Sequence, residues 1–565
     1  MPQVLVRGGS DPGWGPEPPE LADVVSHLLR ARGTQAPAAQ AALLSPKLSS
    51  LRRPDAMAGF DAALDRIERA LTSGETIGVF GDYDVDGVTT ATILSTYLEA
   101  LGATVVVKVA HRGHGYGFTV RDASGFAEAG ATLVLIGDCG TSDIEALSWL
   151  AERGIGRVVI DHHQVPDRMP PTDALINPHQ AGCGFEFKGL CSAGVAFYLC
   201  AALRTRLAKK GRQPPDPRAW LDLVALATVC DMMPLEHENR VLVHHGVCLA
   251  GHRLRPGLKA LLRQAGVDDT EPLDESHFGF KIGPRINAPG RLGSALPSLA
   301  LLRARTDAEA GPLAEQVEAL NAQRKQHTQR TAAEAMALLA ADPRLQERAA
   351  VVVHHHGWLA GVVGIAAAGL VDHYGRPALV MAVDPKTGEA RGSVRSIGGV
   401  DVRAALAACS ELVVRFGGHP QAAGVTVMAD KLDAFSEAFD AAVAEQSGAA
   451  AAVADVELVD AELPLASVDM ALIAAMRAAG PFGMGFAAPR FVSRGVRVES
   501  AKIVGTDHLA MRLSQGRARF DTIAFGQAKH RPQPGSTVGV VHLPFVDRFR
   551  GDERLRLGVQ RFWSE

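Results

Sequence analysis

The stretch Thr76-Ile-Gly-Val-Phe-Gly-Asp-Tyr-Asp-Val-Asp-Gly-Val-Thr-Thr90 runs an apolar segment straight into aspartates at 82, 84 and 86. Ile77, Val79 and Phe80 suit a buried strand. Carboxylates so close together repel one another unless a cation or a hydrogen-bonding cradle offsets their charge. Gly81 and Gly87 bracket the acidic run, permitting a tight path from strand through loop into a helix expected over Val88 to Leu101. The cluster would then lie at the C-terminal edge of a parallel sheet, where open α/β folds hold their ligands. A calcium loop also begins D-x-D-x-D-G, but it needs a preceding helix and a bidentate Glu at its twelfth position. Here an apolar strand precedes, and the twelfth residue counted from Asp82 is Ile93, so a catalytic or substrate metal site is the better reading.

Strand-like runs over Thr76 to Gly81, Thr104 to Val109, Thr132 to Gly137 and Arg157 to Ile160 alternate with helix-like ones, the βαβ rhythm of a parallel sheet. Helical patterns follow in Ser192 to Lys209, Pro217 to Val229 and Arg240 to Leu249. With 565 residues the chain has room for roughly three or four domains. We expect an α/β protein divided into a peripheral N-terminal lead-in (1–50, with one helix around Leu21 to Arg32), a catalytic parallel-sheet domain (51–305), a long connector helix (306–345), a smaller α/β domain (346–447) and a β-rich tail (453–565). The short strands of the tail suggest a small barrel.

Apolar residues make up 47% and charged residues 21%, which excludes wholesale disorder. A net charge of −4 means that any nucleic-acid surface must be local. Seven scattered cysteines without a C-x-x-C pair, and no secretion signal, suggest a reduced, cytoplasmic chain. The most apolar run, Trp358 to Val371, is too short to span a bilayer, so no membrane segment is expected.

Three more acidic or histidine sites end apolar segments: Asp138 after Leu133-Val-Leu-Ile-Gly, Asp161-His162-His163 after Val158-Val-Ile, and Asp231 after Leu226-Ala-Thr-Val-Cys. Taken singly, Asp161 could be a turn residue and His162 a surface imidazole. Parallel strands end on one edge, however, so the four sites can converge. Carboxylates with one or two imidazoles and no thiolate pattern suit a pair of hard or borderline ions, Mn²⁺ or Mg²⁺. Two such ions roughly 3.5 to 4 Å apart clamp a phosphoryl group and lower the pKa of water.

The motifs GDYDVDG, Asp138-Cys139-Gly140, DHH at 161–163 and TVCDMMPL at 228–235 together resemble the DHH phosphoesterase superfamily. His111-Arg112 before Gly115-Tyr116-Gly117, GFKIGPRINAPGRLG at 279–293 and FGGHPQAAG at 416–424 narrow the resemblance to the RecJ family of single-strand-specific exonucleases. It covers residues from about 50 to the C-terminus. It implies metal ligands at Asp84, Asp86, Asp138, His162 and Asp231, with Asp138 bridging, Asp82 a ligand or the partner of one, and His163 facing the phosphate. Where pyrophosphatase-like members carry a His four positions before the first metal aspartate, this chain has Phe80.

By the same resemblance the 346–447 domain is the DHH-associated domain, with Gly417, Gly418 and His419 facing the metal site across a cleft; a plain glycine turn is the alternative. Ser393, Arg395 and Ser396 could touch the nucleic-acid backbone, and Leu359 stands after Trp358 where the family usually has a polar residue. Arg112, Tyr116, Arg285, Asn287 and Arg291 complete the expected substrate-binding set. Arg285 is expected in a loop, as an alternative to Arg112 or beside it for a 5′-terminal phosphate, unless either arginine merely pairs with a neighbouring carboxylate. His354-His355-His356 is expected to be a solvated strand end, and Cys139 and Cys230 to be packing residues. The tail resembles an oligonucleotide-binding barrel. Arg548, Arg550, Arg554, Arg556 and Arg561 with Phe545, Phe549, Phe562 and Trp563 would either line a basic stacking groove or be solvated arginines over core aromatics.

What the resemblance implies is a metal-dependent 5′-to-3′ exonuclease releasing 5′-mononucleotides from single-stranded DNA in repair and recombination, with two Mn²⁺ or Mg²⁺ ions, and with a helicase and a single-strand-binding protein as possible partners. The rivals are a phosphoesterase of short oligonucleotides or cyclic dinucleotides, and a non-catalytic single-strand-binding replication factor. The crowded aspartates speak against the last.

Overall fold

The computed structural model describes residues 3–8, 20–115, 117–252, 254–450, 456–505, 507–548 and 553–565, with 447–450 as backbone alone. Tyr116, Phe549 and Arg550 lie outside the described residues. The chain forms two compact units, Arg52–Met233 with His237–Val453, and Met1–Leu51 with Pro234–Glu236 and Ala454–Glu565.

In the larger unit, a five-stranded parallel sheet runs in the order Thr104–Val109, Thr76–Gly81, Leu133–Gly137, Gly156–Ile160 and Ala174–Ile176. Its central strand Leu133–Gly137 is buried at every position, as expected where both faces of a parallel sheet are covered. Phe80 is fully buried, with Phe118 and Phe126 edge-on at ring-centroid distances of 4.9 and 6.4 Å. It is a core residue. The helix after the acidic run starts at Val85, three residues earlier than expected, because Asp84 caps it by accepting from Gly87 N at 3.1 Å.

Arg285, expected in a loop over residues 283–288, lies in a helix, Gly283–Leu292, that follows a π-helical turn over His277–Ile282. Pro284 sits in its first turn, where no intrahelical N–H is needed. The connector is one helix, Asp307–Ala341, capped by Thr306. A second, mixed sheet follows in the order Arg415–His419, Ala422–Met428, Glu389–Arg395, Ala378–Val383 and Val351–His355. His354, His355 and His356 are exposed at its end.

In the smaller unit, the long strand Phe491–Val504 pairs with both His508–Gln515 and Thr537–Asp547. Irregularities at Ser493/Val496 and Val498/Ser500 bend it enough to do so. Ala518–Ala524 and Arg554–Ser564 complete a closed barrel. Two elements of the segment expected as a peripheral lead-in are integral: Val24 and Leu28 of the helix Leu21–Ala31 are in the barrel core, and Gln3–Val6 pairs in parallel with Val456–Val459. Trp563 is buried and Phe562 packs on the core. Arg548, Arg556 and Arg561 pair with Glu553, Asp547 and Glu457. Those two aromatics therefore stabilise the barrel rather than offering stacking faces.

Candidate metal centre

The turn after Thr76–Gly81 is closed by backbone on backbone. A Cβ on Gly81 would lie 2.1 Å from Gly87 O, and one on Gly87 would lie 2.4 Å from Asp82 N, so neither position has room for a side chain. Asp86, in the first helical turn, accepts from Ser192 N at 2.7 Å and Ala193 N at 2.9 Å. These are N–H groups at the start of the helix Ser192–Lys209, which have no intrahelical partner. Asp138 follows its strand with φ 63°, a left-handed conformation that aspartate tolerates better than most residues. Ser192 Oγ donates to its Oδ1 at 3.3 Å. Asp231 ends the helix Leu221–Cys230.

These segments meet around His162. Its Nε2 lies 3.3 Å from Asp138 Oδ1, 3.5 Å from Asp231 Oδ2 and 3.7 Å from Asp86 Oδ2. Three sets of ligand atoms, Asp138/His162/His163, Asp86/His162/Asp231 and Asp82/Asp84/Asp138, each fall within 4.8 Å. Asp82, Asp86 and Asp138 are at most 2% exposed. Asp82 Oδ1, His162 Nε2 and Asp231 Oδ2 are buried with no hydrogen-bond partner among the described residues.

Burial, and then the neighbouring aspartates, push the carboxyls of Asp82 and Asp231 up to about 8 and that of Asp138 well above its usual range. Burial pulls His162 down, leaving a neutral ring with a lone pair. Orphaned oxygens and a neutral imidazole nitrogen converging in one place fit divalent cations with O and N ligands. The sulfurs of Cys139, Cys191 and Cys230 are held as thiols by burial, so no thiolate joins the set.

Asp161 was not in the expected ligand set, yet it orders the site. Its carboxylate accepts from the backbone N of His162, His163 and Thr141 and is 2.8 Å from His163 Nδ1. Burial opposes a charged imidazole, but the Asp161 bond outweighs it and raises His163 to about 9. Ser192 and Ala193, which hold Asp86, were also missed. The only signal for them was an acid that needed donors.

Of the substrate-binding set, Arg112 donates from Nε to Gly290 O at 2.9 Å, and its guanidinium lies 4.0 Å from the Tyr83 ring centroid. Arg291 donates to Gly361 O. Burial first, then the charges of Arg112 and Arg324, lower it to about 10, with Arg395 also in reach. Arg395 donates to Ser393 Oγ at 2.6 Å. Asn287 Oδ1 accepts from Val85 N at 3.1 Å, which anchors the acidic turn. Arg291 thus lies within electrostatic reach of Arg112, Arg395 and Asp84, with Ser393 bound to Arg395, and the three arginines form a basic group.

Arg285 is not part of it. Nε and Nη2 face Glu318 of the connector and Nη1 donates to Lys281 O, so all its nitrogens are committed, and pairing with a carboxylate is what the structure shows. Gly417, Gly418 and His419 lie on an exposed edge strand. A Cβ on Gly418 would be 2.5 Å from Ala422 O, so the hairpin itself requires that glycine.

The chain matches three family models: the DHH family N-terminal domain over residues 76–228, the DHHA1 domain over 346–445 and the RecJ OB domain over 459–561. It is 33% identical over 568 residues to the single-stranded-DNA-specific exonuclease RecJ of Dickeya dadantii, covering 96% of this chain and 97% of that one. Against the Escherichia coli protein of the same name it is 32% identical, covering 97% and 96%. A crystal structure of RecJ with Mn²⁺ from Thermus thermophilus superposes with a TM-score of 0.79 at 28% identity, covering 100% of this chain and 80% of that one. The corresponding Mg²⁺ complex gives 0.73 at 27% identity, covering 100% and 78%.

Proposed function

Because the chain belongs to the RecJ family of single-stranded-DNA-specific exonucleases, we propose that it degrades single-stranded DNA from the 5′ end, releasing 5′-mononucleotides in DNA repair and recombination. The observation that carries the proposal is the meeting of three acidic segments, through Asp86, Asp138 and Asp231, within 3.7 Å of His162 Nε2, beside the arginine group. Asp84, Asp86, Asp138, His162 and Asp231, with Asp82, would hold two divalent cations, Mn²⁺ or Mg²⁺. When bound, such ions offset the carboxylate charge and supply the Lewis acidity that phosphodiester hydrolysis needs.

The chain's own groups do the positioning. Ser192 and Ala193 fix Asp86, Asn287 fixes the acidic turn, and Asp161 orients a protonated His163 as a donor to a phosphate oxygen. Polarity comes from Arg112, Arg291 and Arg395 with Ser393, which offer charge and N–H donors to a 5′-phosphate. We assign catalysis to residues 51–305, closure over the strand to 346–447, and strand retention to 453–565. Single strands must be produced from duplex and protected, so a helicase and a single-strand-binding protein are the fitting partners. All seven cysteines are free thiols, in keeping with the cytoplasm.

The test is hydrolysis of 5′-labelled single strands of DNA and RNA by the full chain, with Mn²⁺, Mg²⁺ or chelator. Metal-dependent release of labelled mononucleotide from DNA is expected. Cleavage of dinucleotides or cyclic dinucleotides in preference to long strands would favour a small-substrate phosphoesterase, and binding without turnover would favour a replication factor.

A further inference from the structure

The larger unit holds an open pocket of about 230 Å³ lined by Cys230, Gly279, Gly283, Pro284, Asn287, Arg291, Arg324 and Ile365. Cys230 places one side of it next to Asp231, and Arg291 places another in the arginine group. Gly279, Gly283, Asn287 and Arg291 are spaced by four and share one face of the π-turn and the helix that continues it. A Cβ on Gly283 would lie 2.4 Å from Cys230 Sγ, so this glycine lets the helix pack against the ligand-bearing segment and leaves a flat floor. Opposite stand Arg324 of the connector helix and Ile365 of the helix Val363–Tyr374.

Besides Arg291, two polar groups bear on the space. Asn287 spends its Oδ1 on Val85 N, which leaves its NH₂ as the donor side. Arg324 bonds Asn321 through Nη2, but its Nε is buried with no hydrogen-bond partner among the described residues. An unpaired buried donor costs free energy that a ligand acceptor would recover.

We propose that this cavity receives the base of the strand's 5′-terminal nucleotide, with Arg324 as a base-contacting residue. The inference rests on the exonuclease reading: the phosphate 5′ to that nucleotide sits at the arginine group, the phosphodiester 3′ to it sits at the metal centre, and the cavity borders both. A glycine floor with Pro284 and Ile365 as apolar walls accepts the flat face of any base, as a sequence-tolerant enzyme requires. The donors Arg324 Nε and Asn287 NH₂ match acceptors of either kind, ring nitrogen or carbonyl oxygen, and every base carries at least one of the two. A space that takes one base also fits release one nucleotide at a time.

The test compares kcat/KM on 5′-phosphorylated single strands that end in a normal or an abasic nucleotide, for the wild type, Arg324→Met and Ile365→Trp; the tryptophan fills the space. The wild type should cut the abasic end about tenfold less efficiently. Both variants should lose about tenfold on the normal end and no longer distinguish the two ends, with the Mn²⁺-induced thermal shift unchanged. Equal wild-type rates on both ends, or full discrimination kept by both variants, overturns the proposal while leaving the exonuclease reading intact. So does a variant effect that follows the 5′-phosphate and not the base, since the occupant would then be a phosphate. No cleavage of any single strand by the wild type overturns the exonuclease reading, and the proposal with it.

Discussion

Asp161 holds His163: the carboxylate, 1% exposed, is 2.8 Å from the ring Nδ1. Groups that orient a functional histidine from behind cost about 10- to 100-fold when removed. Asp161→Asn should therefore lower kcat by that factor with little change in KM for a short strand, as measured by steady-state kinetics. A rise in KM with kcat unchanged would mean that His163 only binds.

Asp138 is buried among like charges, so replacing it should leave the metal-free fold intact. Asn also tolerates its left-handed backbone. Asp138→Asn should bring hydrolysis below about 1% of wild type, since even groups outside the coordination sphere cost up to 100-fold. The melting temperature in chelator should not fall, and the Mn²⁺-induced rise seen in the wild type should be lost. A variant that still turns over at saturating Mn²⁺ would exclude Asp138 as a bridging ligand.

Arg285 and Arg395 should separate cleanly. Arg285 pairs with Glu318, so Arg285→Lys should cost stability, about 2 kcal/mol for a partly buried pair, with the preference for 5′-phosphorylated over 5′-hydroxyl strands unchanged. Arg112→Ala and Arg395→Ala should erase most of that preference. The ratio of initial rates on the two substrates and a urea titration give both readouts.

His542 makes the barrel acid-sensitive. It is fully buried, with Nε2 on Ser493 Oγ at 2.9 Å, and burial pushes its pKa down to about 3. The unfolded chain protonates near pH 6.5 while the folded one waits until about 3. Between those values the unfolded state holds the extra proton, and stability falls as pH falls. From pH 7 to 5 the loss is about 2 kcal/mol. His542→Gln should remove that share of the pH dependence, as measured by urea midpoints at the two pH values.

Deleting 454–565 alone would strip the partners from Val24, Leu28 and the strand Gln3–Val6, so that truncation should aggregate. A fragment from Arg52 to Val453 removes both parts together. It should stay monodisperse and still cut short strands, with weakened affinity for long ones. Size-exclusion chromatography and KM against strand length test this.

The sequence by itself determined what is local. The run of apolar residues into Asp82, Asp84 and Asp86, repeated before Asp138, Asp161 and Asp231, fixes strands and helices that end in acid, and a parallel sheet then carries its strand ends to one edge. The helix Ser192–Lys209 was legible to its end residues for the same reason, because periodicity and propensity act within a few residues. Tertiary structure decided every choice between partners far apart in the chain. Arg285 meets Glu318 and not a phosphate because the connector helix passes it; Asp86 finds its donors at Ser192 and Ala193; Val24 and Leu28 join a barrel core built more than four hundred residues later. A guanidinium or an apolar helix face carries no mark of which of many possible partners will satisfy it. That is settled only when the chain closes and charge and apolar surface leave water together.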